Sequence, residues 1–147
     1  MFFRQYRVLL AVLLAADCAL TATALARESR DWMQSAMQAA EEGRFGVAER
    51  RYRQVLRQEP QHPQAMYGLA VALNSMGRTE EATRLLEELI TVQPKFQPAY
   101  YLLGTLYERQ GDLKRAREAY RTYVAISPAS IPPDPDIRIK LRSLGIF

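Results

Sequence analysis

The chain has 147 residues, 48% of them hydrophobic and 24% charged, with a formal net charge of +4. That length bounds it to a single domain, and that balance excludes a chain disordered over most of its length. The charge excess is too small for the footprint of a dedicated nucleic-acid binder, so no nucleic-acid partner is expected.

Residues 1–26 read as a leader. Arg4 and Arg7 precede an unbroken apolar run, Val8 to Ala16, and the segment closes on Ala24-Leu25-Ala26. A basic start, a short apolar core and small residues at the end describe a secretory signal peptide, with cleavage expected after Ala26. The alternative is an uncleaved inner-membrane anchor, because Val8–Ala26 is just long enough to span a bilayer. Asp17 opposes it, since a charge at mid-membrane is costly. Both readings export the remainder, which places it in the periplasm or tethers it there. Cys18, the one cysteine, falls inside the leader. Asp17 stands where lipoprotein signals carry a small uncharged residue, so lipidation is not expected. The chain after the leader then has no thiol, and packing rather than a disulfide must hold it together.

Residues 27–130 carry a period. Pro60, Pro94 and Pro128 are 34 residues apart, and so are Gly43, Gly77 and Gly111. Ala48, Ala82 and Ala116 repeat at the same step, as do Ala36, Ala70 and Gly104. Four columns in register define three copies, 29–62, 63–96 and 97–130. Each copy holds two apolar-periodic segments with a glycine between them. Tyr100, Leu103, Gly104 and Tyr107 follow the i, i+3, i+4, i+7 spacing of one helix face. Gly111 suits a left-handed helix end, and the proline of each copy stops its second helix. The small columns let two antiparallel helices approach closely. Larger ones, Trp32/Met66/Tyr100 and Tyr52/Leu86/Tyr120, fill the space around them.

The unit resembles the tetratricopeptide repeat, whose pattern is W-x2-L-G-x2-Y, then A-x3-F, then P. Tyr100, Leu103, Gly104, Tyr107, Ala116, Tyr120 and Pro128 match it best; the second copy offers Met66, Leu69, Ala70, Leu73, Ala82, Leu86 and Pro94. The first copy departs most, with Ser35 and Ala39 where larger residues belong, but keeps Trp32, Ala36, Ala48, Tyr52 and Pro60. The resemblance implies an all-α, right-handed solenoid of three helix–turn–helix repeats, with a concave side lined by the first helix of each.

Residues 131–147 read as a capping helix. Asp134 is the expected N-cap with Pro135 at the first helical position, and Ile137, Leu141 and Leu144 follow at helical spacing. Such a helix would cover the apolar end of the array and expose Arg138, Lys140 and Arg142. The competing reading is that the Gly-Ile-Phe end docks on another protein.

Catalytic signals are missing. The single histidine, His62, falls in the loop between the first two copies and has no second ligand or nucleophile near it in sequence. Glu41-Glu42, Glu80-Glu81 and Glu87-Glu88 are helix neighbours that diverge by about 100°, so none is a facing acid/base pair. No enzyme activity, metal or cofactor is expected.

A binding surface is expected instead. A stripe about 100° round from the core face of the first helices holds Met33, Met37 and Ala40, then Tyr67, Val71 and Asn74, then Tyr101, Thr105 and Glu108. Arg30, Gln64, Ser75 and Arg109 flank it. Aromatics, Met and Arg are the residues enriched in interface cores. The competing reading assigns part of this stripe to packing between repeats. Members of the family that clamp a chaperone's C-terminal carboxylate use Lys, Asn and Arg here; Met33, Met37 and Tyr67 take those places. The expected partner is therefore a protein or peptide segment with apolar anchors. On the second helix of the first copy, Arg50, Arg51, Arg53 and Arg57 form a basic cluster; contact with acidic lipid head groups or a polyanion is one reading, and a solvated face with Glu49 paired to Arg53 is the one favoured. The resemblance implies a non-enzymatic adaptor of secretion, pilus or outer-membrane assembly; the alternatives are a structural subunit of a stable envelope complex or a membrane-tethered scaffold.

Overall fold

A computed structural model describes residues 23–127, 139 and 141–145. Most of the leader, residues 1–22 with Asp17 and Cys18, lies outside the described residues. So do Pro128, Asp134, Pro135, Ile137, Arg138, Lys140 and Phe147. The described chain is helical throughout, with no strand: α1 (23–41), α2 (Phe45–Gln58), α3 (Pro63–Ser75), α4 (Thr79–Val92), α5 (Gln97–Arg109) and α6 (Leu113–Ile126). Residues 139 and 141–143 are also helical.

The glycine column makes the turns. Gly43, Gly77 and Gly111 have φ of 71°, 80° and 80°, which a side chain would strain. With each left-handed residue in place, the following N–H reaches back to the helix. Arg44, Arg78 and Asp112 donate to the carbonyls of Ala39, Leu73 and Tyr107 at 2.8–2.9 Å. This is the Schellman closure, and it satisfies carbonyls that the helix end would otherwise orphan.

Helix starts differ from copy to copy. His62 is the N-cap of α3: its Nδ1 accepts from the Ala65 N–H at 3.3 Å, and Pro63 follows at the first helical position. The loop histidine thus has a local structural task rather than facing solvent freely. Asp112 caps α6, accepting from the Arg115 N–H at 3.0 Å and from Arg115 Nε at 2.5 Å. That backbone bond and the guanidinium hold its carboxyl below the usual aspartate range.

Consecutive helices pack in pairs, α2 on α3, α3 on α4, α4 on α5 and α5 on α6. The small columns lie at the contacts. Ala36, Ala48, Ala70, Ala82 and Ala116 are fully buried, with Leu86 and Tyr120 buried beside them. Gly104 lies directly under the Tyr120 ring, and Gly68 under the Tyr52 ring. Leu141, from the C-terminal helical residues, is fully buried in the same core; Leu144 packs against it, while Ile139 is exposed.

Polar contacts tie one pair to the next. Arg78, in the turn before α4, bridges Glu49 of α2 and Glu81 of α4, each at 2.7 Å. Burial acts to raise the Glu49 carboxyl, but hydrogen bonds from Arg78 and Arg53 outweigh it and leave the group lowered. One repeat on, the Tyr107 hydroxyl of α5 donates to Glu87 of α4 at 2.6 Å, and Arg115 of α6 lies 4.5 Å over the Tyr107 ring. Burial, and then the Glu87 carboxylate, push the Tyr107 hydroxyl up to about 12.

Candidate partner-binding surface

The first helices of the three copies, α1, α3 and α5, differ in chemistry from the second helices. In α3, PQAMYGLAVALNS, there is no charged residue. Its hydrophobic positions are more than one face needs for the core: Ala65, Met66, Leu69, Ala70, Ala72 and Leu73 are buried, while Tyr67 and Val71 are only partly buried. Periodicity explains the first set. The second set is apolar surface left over.

Along that surface, Met33 is half-buried and Met37 is 49% exposed on α1. Tyr67, Val71 and Asn74 are likewise half-buried on α3, and Tyr101, Thr105 and Glu108 on α5; Arg109 is exposed. Arg109 Nη1 donates to Asn74 Oδ1 at 3.0 Å, from α5 across to α3. This bond links the two stripes at one end and engages the cation there.

The two tyrosines are braced. The Tyr67 ring meets Phe96, the residue just before α5, at 5.6 Å between centroids. Burial pushes the Tyr67 hydroxyl above the usual tyrosine range. Tyr101 meets Tyr120 at 5.9 Å and Tyr123 at 5.6 Å, both from α6. Thr105 donates to the Tyr101 carbonyl at 3.1 Å and lies 3.2 Å from the Tyr120 hydroxyl, which donates to Glu108. On α5, then, Tyr101, Thr105 and Glu108 are partly engaged with α6, whereas Met37 on α1 projects freely. The sequence offers no sign of the Phe96 brace, because a loop residue belongs to no helical period. Tyr123 meets Tyr101 because α6 packs on α5, a pairing that no helical period reports.

The acidic neighbours diverge as helix geometry demands. Glu81 binds Arg78 and Glu87 accepts from Tyr107, while Glu80 and Glu88 are exposed. Among the described residues, no group of three or more His, Cys, Asp or Glu is placed to hold a metal. No described helix is long and apolar enough to cross a membrane.

The chain matches a family model described as tetratricopeptide repeat over residues 39–103 and again over 73–138. It is 35% identical over 97 residues to cellulose synthase operon protein C of Pseudomonas fluorescens, a stretch that covers 60% of this chain but only 8% of that protein. Among solved structures it resembles the first tetratricopeptide domain of Spaghetti (RPAP3) bound to the HSP90 peptide SRMEEVD, with a TM-score of 0.72, 14% identity, and 82% and 92% of the two chains covered. The tetratricopeptide domain of Sgt2 from Aspergillus fumigatus gives 0.71 and 24% identity over 81% and 78%. With the repeat model spanning most of its length and the glycine turns, small columns and paired helices in place, this chain belongs to the tetratricopeptide repeat family.

Proposed function

We propose that this protein is a non-enzymatic adaptor that holds an uncharged segment of a partner protein, by apolar anchors, along the face shared by α1, α3 and α5. One observation carries the reading: α3 has no charge at all, Tyr67 and Val71 on it keep part of their surface exposed, and Met37 on α1 is 49% exposed. Apolar surface of that kind is costly unless something covers it. Its methionines adapt to a partner's shape, and its braced tyrosines offer rigid contact area with little entropy left to lose. The tetratricopeptide domain of RPAP3 takes an acidic HSP90 peptide. The present stripe has no cluster of cations to match such a peptide, and its Arg109 is already held by Asn74.

The site of action we infer is the bacterial envelope, in secretion, pilus or outer-membrane assembly. The support is the leader pattern of residues 1–26, and one feature of α1 agrees with it. Residues 23–28 are exposed, and burial begins at Ser29, which donates to Glu59 at 2.5 Å. Cleavage after Ala26 would therefore remove no buried residue among those described.

A display selection of random peptides on the purified protein tests the binding reading. Enrichment of uncharged segments with spaced apolar anchors is expected, with binding lost in Met37→Asp and retained in Arg84→Asp on the outer helix α4. Selection of acidic C-terminal peptides instead, or equal loss in both variants, would refute it.

A further inference from the structure

We infer that the partner segment is an α-helix spanning the whole array, and that Ile139, on the C-terminal helical segment, is its anchor at the far end; the inference rests on the stripe of the first helices being the binding face. Two features put the C-terminal segment in register with α1, α3 and α5. Gly145 has a φ of 69°, in the left-handed region with Gly43, Gly77 and Gly111, and it stands 34 residues after Gly111. Four residues before their glycines, Ala39, Leu73, Tyr107 and Leu141 are all buried. Six residues before the same glycines come Met37, Val71, Thr105 and Ile139. The first three belong to the stripe, so Ile139 continues it onto a fourth helical segment. It is 68% exposed, and Met37 is 49% exposed. The column is therefore open and apolar at both ends, with Val71 and Thr105 half-buried between them. A segment that only capped the array would present polar side chains outward, as this one does at Arg142 and Ser143.

The length and conformation of the occupant follow from the same column. Packed helices lie roughly 8–10 Å apart, so three steps from α1 to the C-terminal segment cover roughly 25–30 Å, the length of a helix of about 20 residues. The polar groups along the stripe are already engaged within the protein. Arg109 donates to Asn74, Thr105 donates to the Tyr101 carbonyl, and Glu108 accepts from Tyr120. An extended segment would bring open backbone N–H and C=O groups to a face with little to offer them. A helix arrives with those groups bonded internally and presents side chains alone. Apolar side chains two turns apart on one helix face are separated by roughly 10 Å, and so meet one helix of the array after another.

The experiment uses the full chain and a fluorescein-labelled peptide of about 20 residues, alanine and glutamine with leucines along one helix face, read by fluorescence anisotropy. Ile139→Asp and Met37→Asp should each weaken binding roughly tenfold, the worth of burying one large apolar side chain. Ile139→Leu should stay within about threefold of the parent. Leu113→Asp is the control: Leu113 is 53% exposed at the start of α6, off the stripe, and its loss should change affinity by no more than about threefold. Proline at two outward-facing alanines of the peptide breaks its helix and should cost roughly tenfold or more. Loss in Met37→Asp without loss in Ile139→Asp would leave the stripe standing and overturn its extension. Indifference to both, or no binding by the parent, would remove the stripe as the binding face and the proposed function with it. Equal loss in Leu113→Asp would show unspecific adhesion, and undiminished binding of the proline peptide would exclude a helical occupant; either overturns the inference. So would a parent that sediments as a dimer and becomes monomeric in Ile139→Asp, because a second copy would then be the occupant. Ile139→Thr, which installs the residue of the third repeat without a charge, should weaken binding in the same direction, and melting temperatures equal to the parent's keep a folding defect from imitating the loss.

Discussion

Gly104→Ala is the substitution for which local and tertiary reasoning give opposite signs. Gly104 is inside α5, where replacing glycine by alanine ordinarily gains about 1 kcal/mol of helix stability. Here the added Cβ would lie 2.6, 2.7 and 2.8 Å from Cε1, Cζ and Cδ1 of Tyr120. The ring has nowhere to retreat: Tyr120 is fully buried, its hydroxyl donates to Glu108, and its face meets Tyr101. Overpacking of this kind costs roughly 1–3 kcal/mol, so about 1 kcal/mol of net destabilisation is the expected result. In an array of this size that lowers the melting temperature by roughly 4 °C or more. The second repeat supplies the control, because Ala70 and Leu86 occupy the equivalent positions and both are buried. In a Tyr120→Leu background the same Gly104→Ala change should therefore stabilise, by up to about 1 kcal/mol. Thermal and urea unfolding of the four proteins measure the coupling. A higher melting temperature for Gly104→Ala alone, or equal effects in the two backgrounds, would refute the argument that the placement of the Tyr120 ring is what holds position 104 to glycine.

Two further predictions concern the polar ties between repeats. The Tyr107 hydroxyl is raised from 10.0 to about 12 in the folded protein. The unfolded chain therefore gives up that proton first, and the stability it carries is complete below about pH 10 and lost as pH rises through about 12. Urea midpoints across that window should fall less steeply in Tyr107→Phe; an unchanged slope would mean that burial and Glu87 do not hold the proton as described. Arg78→Gln removes ion pairs that span α2 and α4, whereas Arg44→Gln removes a pair with Glu42 two residues away. The first should lower the melting temperature more than the second, and added salt should narrow the gap. Equal effects in calorimetry would show that the Arg78 bridge does not join the repeats.

The repeat was legible because its causes are local. A left-handed turn needs glycine, so Gly43, Gly77 and Gly111 mark the turns without reference to anything distant. Helix faces recur every three or four residues, so the buried set of Ala36, Ala48, Leu69, Leu73, Ala82, Leu103 and Ala116 could be read from spacing alone. The stripe of Met33, Met37, Tyr67, Val71, Asn74, Tyr101, Thr105, Glu108 and Arg109 could be located the same way. How far each member is free to meet a partner could not. Thr105 and Tyr101 turn toward Tyr120, and Arg109 reaches Asn74, because the crossing of α5 on its neighbours brings those groups within bonding distance.

Gly68 shows the division most plainly. It stands in no repeated column; Gln34 and Leu102 occupy its places in the other copies, so the period gives no reason for it. In the structure a side chain there would strike the ring of Tyr52, which reaches across from α2. The sequence by itself determined the turns, the helix faces and the family. Only the tertiary structure decided where the large rings point, since that direction depends on which helix lies opposite. With it were decided which glycine must remain a glycine and which tyrosines remain available at the surface.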